Sequence, residues 1–190
     1  MARIKRNSPR RTAAVRTGVR GRRPAASRGK ARGGRGSTGQ IERRIAEMGL
    51  TLPPAPTALA NYVGAVVAGK LVFVSGHGPV HDGQLSYRGK LGREFTTAQG
   101  QDAARLVMLN CLATLKAAIG SLDRVRRVVK LLGMVNGTPD FTEQPQVING
   151  ASDLLVAIFG DRGRHARSAV GMGSLPFNIA VEIEMVVEVR

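Results

Sequence analysis

Residues 179–189 place the strongest constraint on the fold, because apolar and acidic side chains alternate along them. Every second position is apolar and three of the intervening positions are glutamate, which is the period of a β-strand with one buried face. A strand is also predicted over residues 166–172, and Pro176 separates the two because it has no N–H for a ladder. Arg167 lies in this earlier strand among small side chains, which leave room for a ligand. A surface arginine on an edge strand would show the same pattern.

The segments before residue 166 predict a mixture of helices and strands. Residues 68–70 indicate a hairpin between two apolar strands, and residues 84–93 an irregular stretch with room for one short strand. Thr96 opens a capping-box pattern, and glycines mark the ends of the two longest helices. The predicted helices are residues 41–50, 96–120 and a stretch within 141–159. The predicted strands are residues 61–67, 71–75, 125–135, 166–172 and 179–189.

The order of these elements, β-β-(β)-α-β-α-β-β, predicts an α+β fold in which two helices cover one face of a β-sheet. The strands around Phe73 and Val128 are apolar on both faces, yet two helices can cover only one. The uncovered face therefore needs another subunit. We predict a homo-oligomer with its sites at the seams between subunits.

The charge of the chain is concentrated at its beginning. The formal net charge is +16, but residues 1–40 contain 13 of the 29 Lys and Arg residues and no Asp or Glu. We predict a disordered basic tail over residues 1–40, a short helix and proline-rich linker over 41–57, and the folded domain over 58–190. The tail has three interpretations: an arm that binds nucleic acid nonspecifically, an arginine-rich targeting peptide, or upstream sequence without function.

Cysteine and histidine usage argues against a disulfide framework or a metal site. Cys111 is the single cysteine and falls in an apolar helical pattern. His77 and His81 are four residues apart, but Gly78 and Pro79 between them break the helix that such a pair would need to bind a metal. No apolar run is long enough to cross a membrane and no apolar segment follows the basic start, so we expect a cytoplasmic protein.

About the last 130 residues contain several short stretches that are informative because of the order in which they occur. They are residues 61–63 (Asn-Tyr-Val), 71–76 (Leu-Val-Phe-Val-Ser-Gly), 79–80 (Pro-Val), 148–149 (Ile-Asn), 166–168 (Ala-Arg-Ser), 175–176 (Leu-Pro) and 181–184 (Val-Glu-Ile-Glu). As an ordered set they resemble the RidA (YjgF-like) family of imine deaminases, also known as endoribonuclease L-PSP or translation inhibitor. The resemblance implies a chorismate-mutase-like fold assembled as a trimer, with three clefts between subunits and no cofactor.

The resemblance also implies roles for individual residues. Arg167 would clamp a substrate carboxylate, whose geometry a guanidinium fork matches, and Glu182 would position or activate the attacking water. The implied cleft-lining residues are Tyr62, Ser75, Gly76 and Asn149, with the backbone near Ala169. Simpler structural roles stay open for several of these: packing at the seam, bridging of backbone groups, or, for the glutamate, pairing with a surface lysine.

The sequence departs from the family pattern at three places. His165 stands where a proline usually precedes Ala-Arg-Ser, residues 77–78 (His-Gly) replace a common Gln-Ile, and Ala169 stands where well-known members have cysteine. These changes alter the cleft wall more than the clamp, so they bear on substrate range. His165 is a candidate acid or base near neutral pH, or else a solvated loop histidine.

The implied reaction is hydrolysis of reactive 2-imino or enamine acids, such as 2-aminoacrylate, to 2-keto acids and ammonia. Such imines are released by pyridoxal-phosphate enzymes, and their removal is a detoxification. Because they hydrolyse in water unaided, a site need only orient them and assist proton transfer. The alternatives are a non-catalytic trimer that binds small carboxylates or regulates a partner, and an RNA-acting protein. The folded part is nearly balanced in charge, so an RNA-acting protein is the least favoured of these alternatives.

Overall fold

A computed structural model describes residues 39–55 and 61–190, so the predicted tail lies outside the described residues except for its last two positions, as does part of the predicted linker. The α-helices are α1 (Gln40–Glu47), α2 (Thr97–Ile119) and α3 (Gln144–Phe159). The strands are β1 (Ala65–Ala68), β2 (Leu71–His77), β3 (Val80–His81), β4 (Gln84–Leu85), β5 (Val125–Asn136), β6 (Ala166–Met172) and β7 (Val181–Val189). Short 3-10 turns cover Leu122–Arg124 and Gly160–Gly163.

Five of the strands form one sheet in the order β1-β2-β7-β5-β6. Strands β5 and β6 are parallel and the other neighbours are antiparallel, while β3 and β4 form a separate hairpin. The alternating strand β7 is thus central, between β2 and β5. Its apolar positions from Val181 to Val189 are buried, and its glutamates point to the other face, as the period of two predicts.

Helices α2 and α3 pack against each other and cover one face of this sheet. The core between helices and sheet includes Met108, Leu112, Leu115, Leu131, Ile148, Leu155 and Ile183, all nearly or fully buried. On the opposite face, which we call the open face, Val66 and Phe73 are 52% and 45% exposed. The predicted α+β arrangement, with two helices on one face of the sheet, is confirmed. None of the helices in the described ranges is long and apolar enough to cross a membrane.

Two strands begin later than predicted, because hydrogen bonds to distant residues take the place of regular strand pairing at their starts. The first strand begins at Ala65 rather than 61, because Ser75 holds the preceding backbone through bonds to Gly64 and Val63. The last strand begins at Val181 rather than 179, because the Ala180 N–H bonds to the carbonyl of Tyr87. The irregular stretch over residues 84–93 contains one short strand, β4, as predicted, and β4 pairs with β3 in a hairpin that the sequence did not indicate.

Helix α1 is attached to the folded unit by a carboxylate from far along the chain. Its N-cap residue is glycine and offers no side chain, and the carboxylate of Asp123 accepts from the N–H groups of Gln40 and Ile41, both at 2.8 Å. Two isoleucines of α1, Ile41 and Ile45, are buried in the main core. The short helix is therefore part of the same packed unit as the sheet.

Candidate functional site

Arg167 lies on the helix-covered side of edge strand β6. The parallel pairing of β6 with β5 sets it beside Leu131, whose side chain is fully buried beneath the helices. Its Nη1 donates to Oδ1 of Asn149 at 2.9 Å and to Oγ of Ser152 at 3.0 Å. Residues three apart on a helix share a face, so α3 presents both acceptors to one nitrogen. The structure thus brings together Arg167 and Asn149, two of the residues singled out in the sequence.

The other donors of the guanidinium have no hydrogen-bond partner among the described residues. Within the described part of the chain, no carboxylate pairs with Arg167 and no hydrogen bond engages its Nε or Nη2. These two nitrogens form the parallel pair that matches a carboxylate. A half-buried cation held from behind in this way has the free donors that binding of a small anion requires.

Two more residues, Ser152 and His165, belong to the hydrogen-bond network around Arg167 and Asn149. Ser152 Oγ lies 3.1 Å from Nε2 of His165, and Nδ1 of His165 donates to the carbonyl of Gly163 at 2.6 Å. Burial lowers the pKa of His165, the hydrogen bond to Gly163 opposes this, and the charge of Arg167 adds to the lowering. His165 is therefore tied into the arginine network rather than being a solvated loop residue. Ser152 was missed from the sequence, although its spacing of three from Asn149 was a usable signal.

Ala169 belongs to the same side of the sheet as Arg167. It lies two residues further along β6, opposite Gly133, and packs half-buried against the core. We call Arg167, Asn149, Ser152 and His165 the arginine cluster, with Ala169 beside it.

Glu182 lies on the open face of the central strand. Its neighbour Ile183 is fully buried beneath the helices, so the alternation of β7 directs Glu182 to the other side. A β-bulge between Val74 and His77 brings Gly76 under it, where a Cβ on Gly76 would overlap Oε1 of Glu182. Burial raises the pKa of Glu182, and the negative charge of Glu184 adds to the effect. The glycine therefore makes room for a half-buried carboxyl that holds its proton more tightly than usual.

Ser75 directly precedes Gly76, and Tyr62 lies on the segment whose backbone Ser75 holds. Ser75 donates from Oγ to the carbonyl of Val63 at 2.7 Å and lines a cavity of about 370 Å³ on the open face. Tyr62 directly precedes Val63 and is 50% exposed. We call Glu182, Gly76 and Ser75 the glutamate cluster.

The two clusters lie on opposite faces of the sheet. Arg167 is level with Leu131 and Glu182 with Met134, three residues apart along β5, and side chains three apart on a strand point to opposite faces. The structure thus assembles each half of the implied site but does not bring Arg167 and Glu182 together within one chain.

The histidines considered as metal ligands are separated by their surroundings. The ring of His77 is buried between the carbonyl of Ser75 (2.6 Å) and Oγ1 of Thr114 (2.7 Å), and burial lowers its pKa. His81 is exposed on the short hairpin. Across the described ranges, no group of three or more His, Cys, Asp or Glu side chains is placed to hold a metal ion.

Comparisons with known proteins agree on one family. The family described as "YjgF/chorismate mutase-like, putative endoribonuclease" matches residues 42–189. Protein TCP17 of Trypanosoma cruzi is 45% identical over 155 residues, which cover 81% of this chain and 97% of that protein.

Solved structures give the same result. Atu1372 of Agrobacterium tumefaciens, a protein of unknown function, is 49% identical with a TM-score of 0.75, covering 79% of this chain and 92% of its own. TdcF of E. coli, solved with bound serine, is 26% identical with a TM-score of 0.53, covering 72% of this chain and 93% of its own. Because the family match spans the whole sheet, both long helices and every residue of the two clusters, the chain belongs to the YjgF/chorismate mutase-like family that its sequence resembles.

Proposed function

We propose that this protein hydrolyses 2-imino and enamine acids to 2-keto acids and ammonia without a cofactor, as a homotrimer with its sites between subunits. The observation that carries the proposal is the guanidinium of Arg167, which two acceptors on α3 hold by Nη1 while Nε and Nη2 have no partner in the described residues. Such a group binds a small carboxylate bidentately. The bound serine of TdcF, a small amino acid, is consistent with a ligand of this size.

The site is completed by a second subunit in this proposal. Arg167 and Glu182 point to opposite sides of one sheet, so a ligand held by Arg167 reaches a glutamate only if another copy brings its open face to β6. The exposed Val66 and Phe73 on that face favour such burial, because apolar patches of this kind mark interfaces. Three copies arranged head to tail give three equivalent seams.

In the seam, the chemistry divides between the two clusters. Arg167 holds the carboxylate, which fixes the adjacent C=N carbon in one orientation. Glu182 accepts a proton from the attacking water as its oxygen adds to that carbon, and returns the proton to the nitrogen, which gives a carbinolamine. A second transfer, from the carbinolamine hydroxyl through Glu182 to the amine, forms the C=O bond as the C–N bond breaks and ammonia leaves. The raised pKa of Glu182 suits both steps, because a carboxyl that holds its proton more tightly is a better base and still an acid. One water is consumed, and the products are a 2-keto acid and ammonia.

The test is release of 2-keto acid from freshly generated imino acids, supplied by an amino-acid oxidase or a serine/threonine dehydratase with a trapping amine to report the uncatalysed remainder. We expect the wild-type protein to accelerate release and Arg167→Ala to reduce kcat/KM at least about 100-fold, through loss of a charge-assisted bidentate contact. The matched control is Arg164→Ala, since that arginine is 72% exposed and faces Asp161. A folded oligomer that gives no acceleration for any imine would contradict the proposal, and binding of 2-keto acids without turnover would then favour a carboxylate-binding protein.

A further inference from the structure

Ser152 connects Arg167 to His165, a residue that the proposed reaction does not otherwise use. The hydroxyl oxygen of Ser152 lies 3.0 Å from Nη1 of Arg167 and 3.1 Å from Nε2 of His165. Because an arginine only donates hydrogen bonds, Ser152 must present a lone pair to it and direct its own O–H elsewhere. The ring of His165 supplies the acceptor for that O–H.

The direction of this chain of hydrogen bonds is fixed at its far end by Gly163. Its carbonyl lies 2.6 Å from Nδ1 of His165 and can only accept, so Nδ1 carries the proton and Nε2 of the neutral ring is an acceptor. Gly163 is buried against α3, where a Cβ would overlap the carbonyl of Leu155. The anchor therefore has little freedom to shift.

We propose that His165 is a positioning residue, which orients the hydroxyl of Ser152 and thereby holds Arg167 towards the substrate carboxylate. The inference rests on the proposed function, because it needs a carboxylate at Arg167. With the O–H of Ser152 committed to His165, the two hydrogens of Nη1 have two fixed acceptors, Asn149 and Ser152. This sets the plane of the guanidinium and leaves Nε and Nη2 as a preformed fork.

The neutral state that this role requires is favoured by the surroundings of His165. Burial lowers the pKa of His165, and the positive charge of Arg167 adds to the lowering against the opposing bond to Gly163. A protonated ring would turn Nε2 into a donor, so Ser152 would face two donors and the cluster two positive charges. The neutral ring is thus the form that gives the O–H of Ser152 an acceptor and adds no second positive charge beside Arg167.

The experiment compares His165→Ala, His165→Gln and Ser152→Ala with the double variant His165→Ala/Ser152→Ala. The readouts are the Kd for pyruvate by calorimetry, kcat and KM with an imino acid, and thermal stability with oligomer size to confirm folding. We expect His165→Ala to raise both Kd and KM roughly five- to tenfold with little change in kcat, because a bond that prepares the clamp is lost equally in ground and transition states.

Two further results identify the route of the effect. The amide oxygen of glutamine reaches the position of Nε2 and accepts from Ser152, so His165→Gln is expected to restore both constants to within about twofold. If His165 acts through Ser152, the double variant binds pyruvate no more weakly than Ser152→Ala alone. The matched control is His81→Ala, at an exposed histidine of the short hairpin.

The outcomes separate this inference from the proposed function. Wild-type Kd and KM in a folded His165→Ala protein, or losses that simply add in the double variant, would overturn the role of His165 while leaving the deaminase proposal intact. Pyruvate binding that weakens in His165→Ala, in a protein without turnover, would support His165 and contradict the deaminase. A wild-type protein that neither binds pyruvate nor hydrolyses imines would overturn both.

Discussion

Arg167 and Glu182 lie on opposite faces of one five-stranded sheet, the first bonded to α3 and the second seated over Gly76 on the open face. One chain therefore contains a candidate anion-binding group and a candidate acid–base group that cannot act on the same small ligand. If both serve one reaction, they do so across a subunit seam.

Glu182→Gln is expected to lower kcat by about 100-fold or more and to change KM little, because a positioned proton-transfer group contributes two to four orders of magnitude. The measurement is steady-state kinetics of 2-keto acid release. Glu188→Gln is the matched control, since Glu188 lies on the same face of β7 and faces Arg126 and Arg127. Equal losses in the two variants would show that the effect is only electrostatic or structural.

The same Glu182 substitution is expected to stabilise the fold at neutral pH. Burial raises the pKa of Glu182 in the folded protein above its value in the unfolded chain. The folded protein therefore loses stability from this group as the pH rises from the unfolded-state pKa to the folded-state pKa. Glutamine carries no such penalty. The Tm of Glu182→Gln minus that of the wild type should increase with pH from the ordinary glutamate value upward and then level off. A difference that is flat with pH would contradict the assignment.

Gly76→Ala is expected to abolish most activity while leaving the fold intact. The added Cβ would overlap Oε1 of Glu182, which is the mobile end of a side chain, so the carboxyl moves rather than the backbone. We expect kcat to approach that of Glu182→Gln, with a Tm close to wild type. Gly173→Ala, where a Cβ meets nothing within 4 Å, is the control. Full activity in Gly76→Ala would show that the position of Glu182 over this glycine is unimportant.

Asp123→Ala is expected to destabilise the protein by about 1–2 kcal/mol, the usual effect of losing a helix N-cap, here supplied from outside the helix. Hydrogen bonds from the N–H groups of Ile41 and Gln40 lower the pKa of Asp123. Its contribution is thus fully present above the unfolded pKa and is lost as pH falls through the folded one.

Chemical denaturation and amide exchange in α1 measure this effect. Asp161→Ala, at a 97% exposed carboxylate, should change stability by less than about 0.5 kcal/mol. Unchanged exchange in α1 of the Asp123 variant would contradict the capping role.

Local and periodic signals in the sequence were sufficient for much of this fold. The alternation along β7 correctly predicted its buried face, and Thr96 does cap α2 in a capping box. The sequence contains more apolar strand surface than two helices can cover. This indicated the open face, where Phe73 is exposed. Arg167 and Glu182 were identified through the family resemblance, because nothing in the local composition or spacing around them is unusual.

Contacts between distant residues were beyond the sequence patterns. Asp123 caps a helix 82 residues earlier in the chain, and no sequence pattern near either segment predicts this contact. The bulge that places Gly76 under Glu182 depends on the register of β2 against β7, which single-strand periodicity does not fix. The tie between Ser152 and His165 likewise exists only once α3 has packed beside β6.

The most direct test of the central claim is activity in hybrids of two inactive proteins, Arg167→Ala and Glu182→Gln, co-expressed in equal amounts with different tags. If each site takes its arginine from one subunit and its glutamate from another, random mixing restores about one quarter of wild-type activity, because half of the subunits supply each intact group. Separately purified parents, mixed without subunit exchange, should stay inactive. Hybrid oligomers that form in good yield yet show no more activity than their parents would contradict a site shared between subunits.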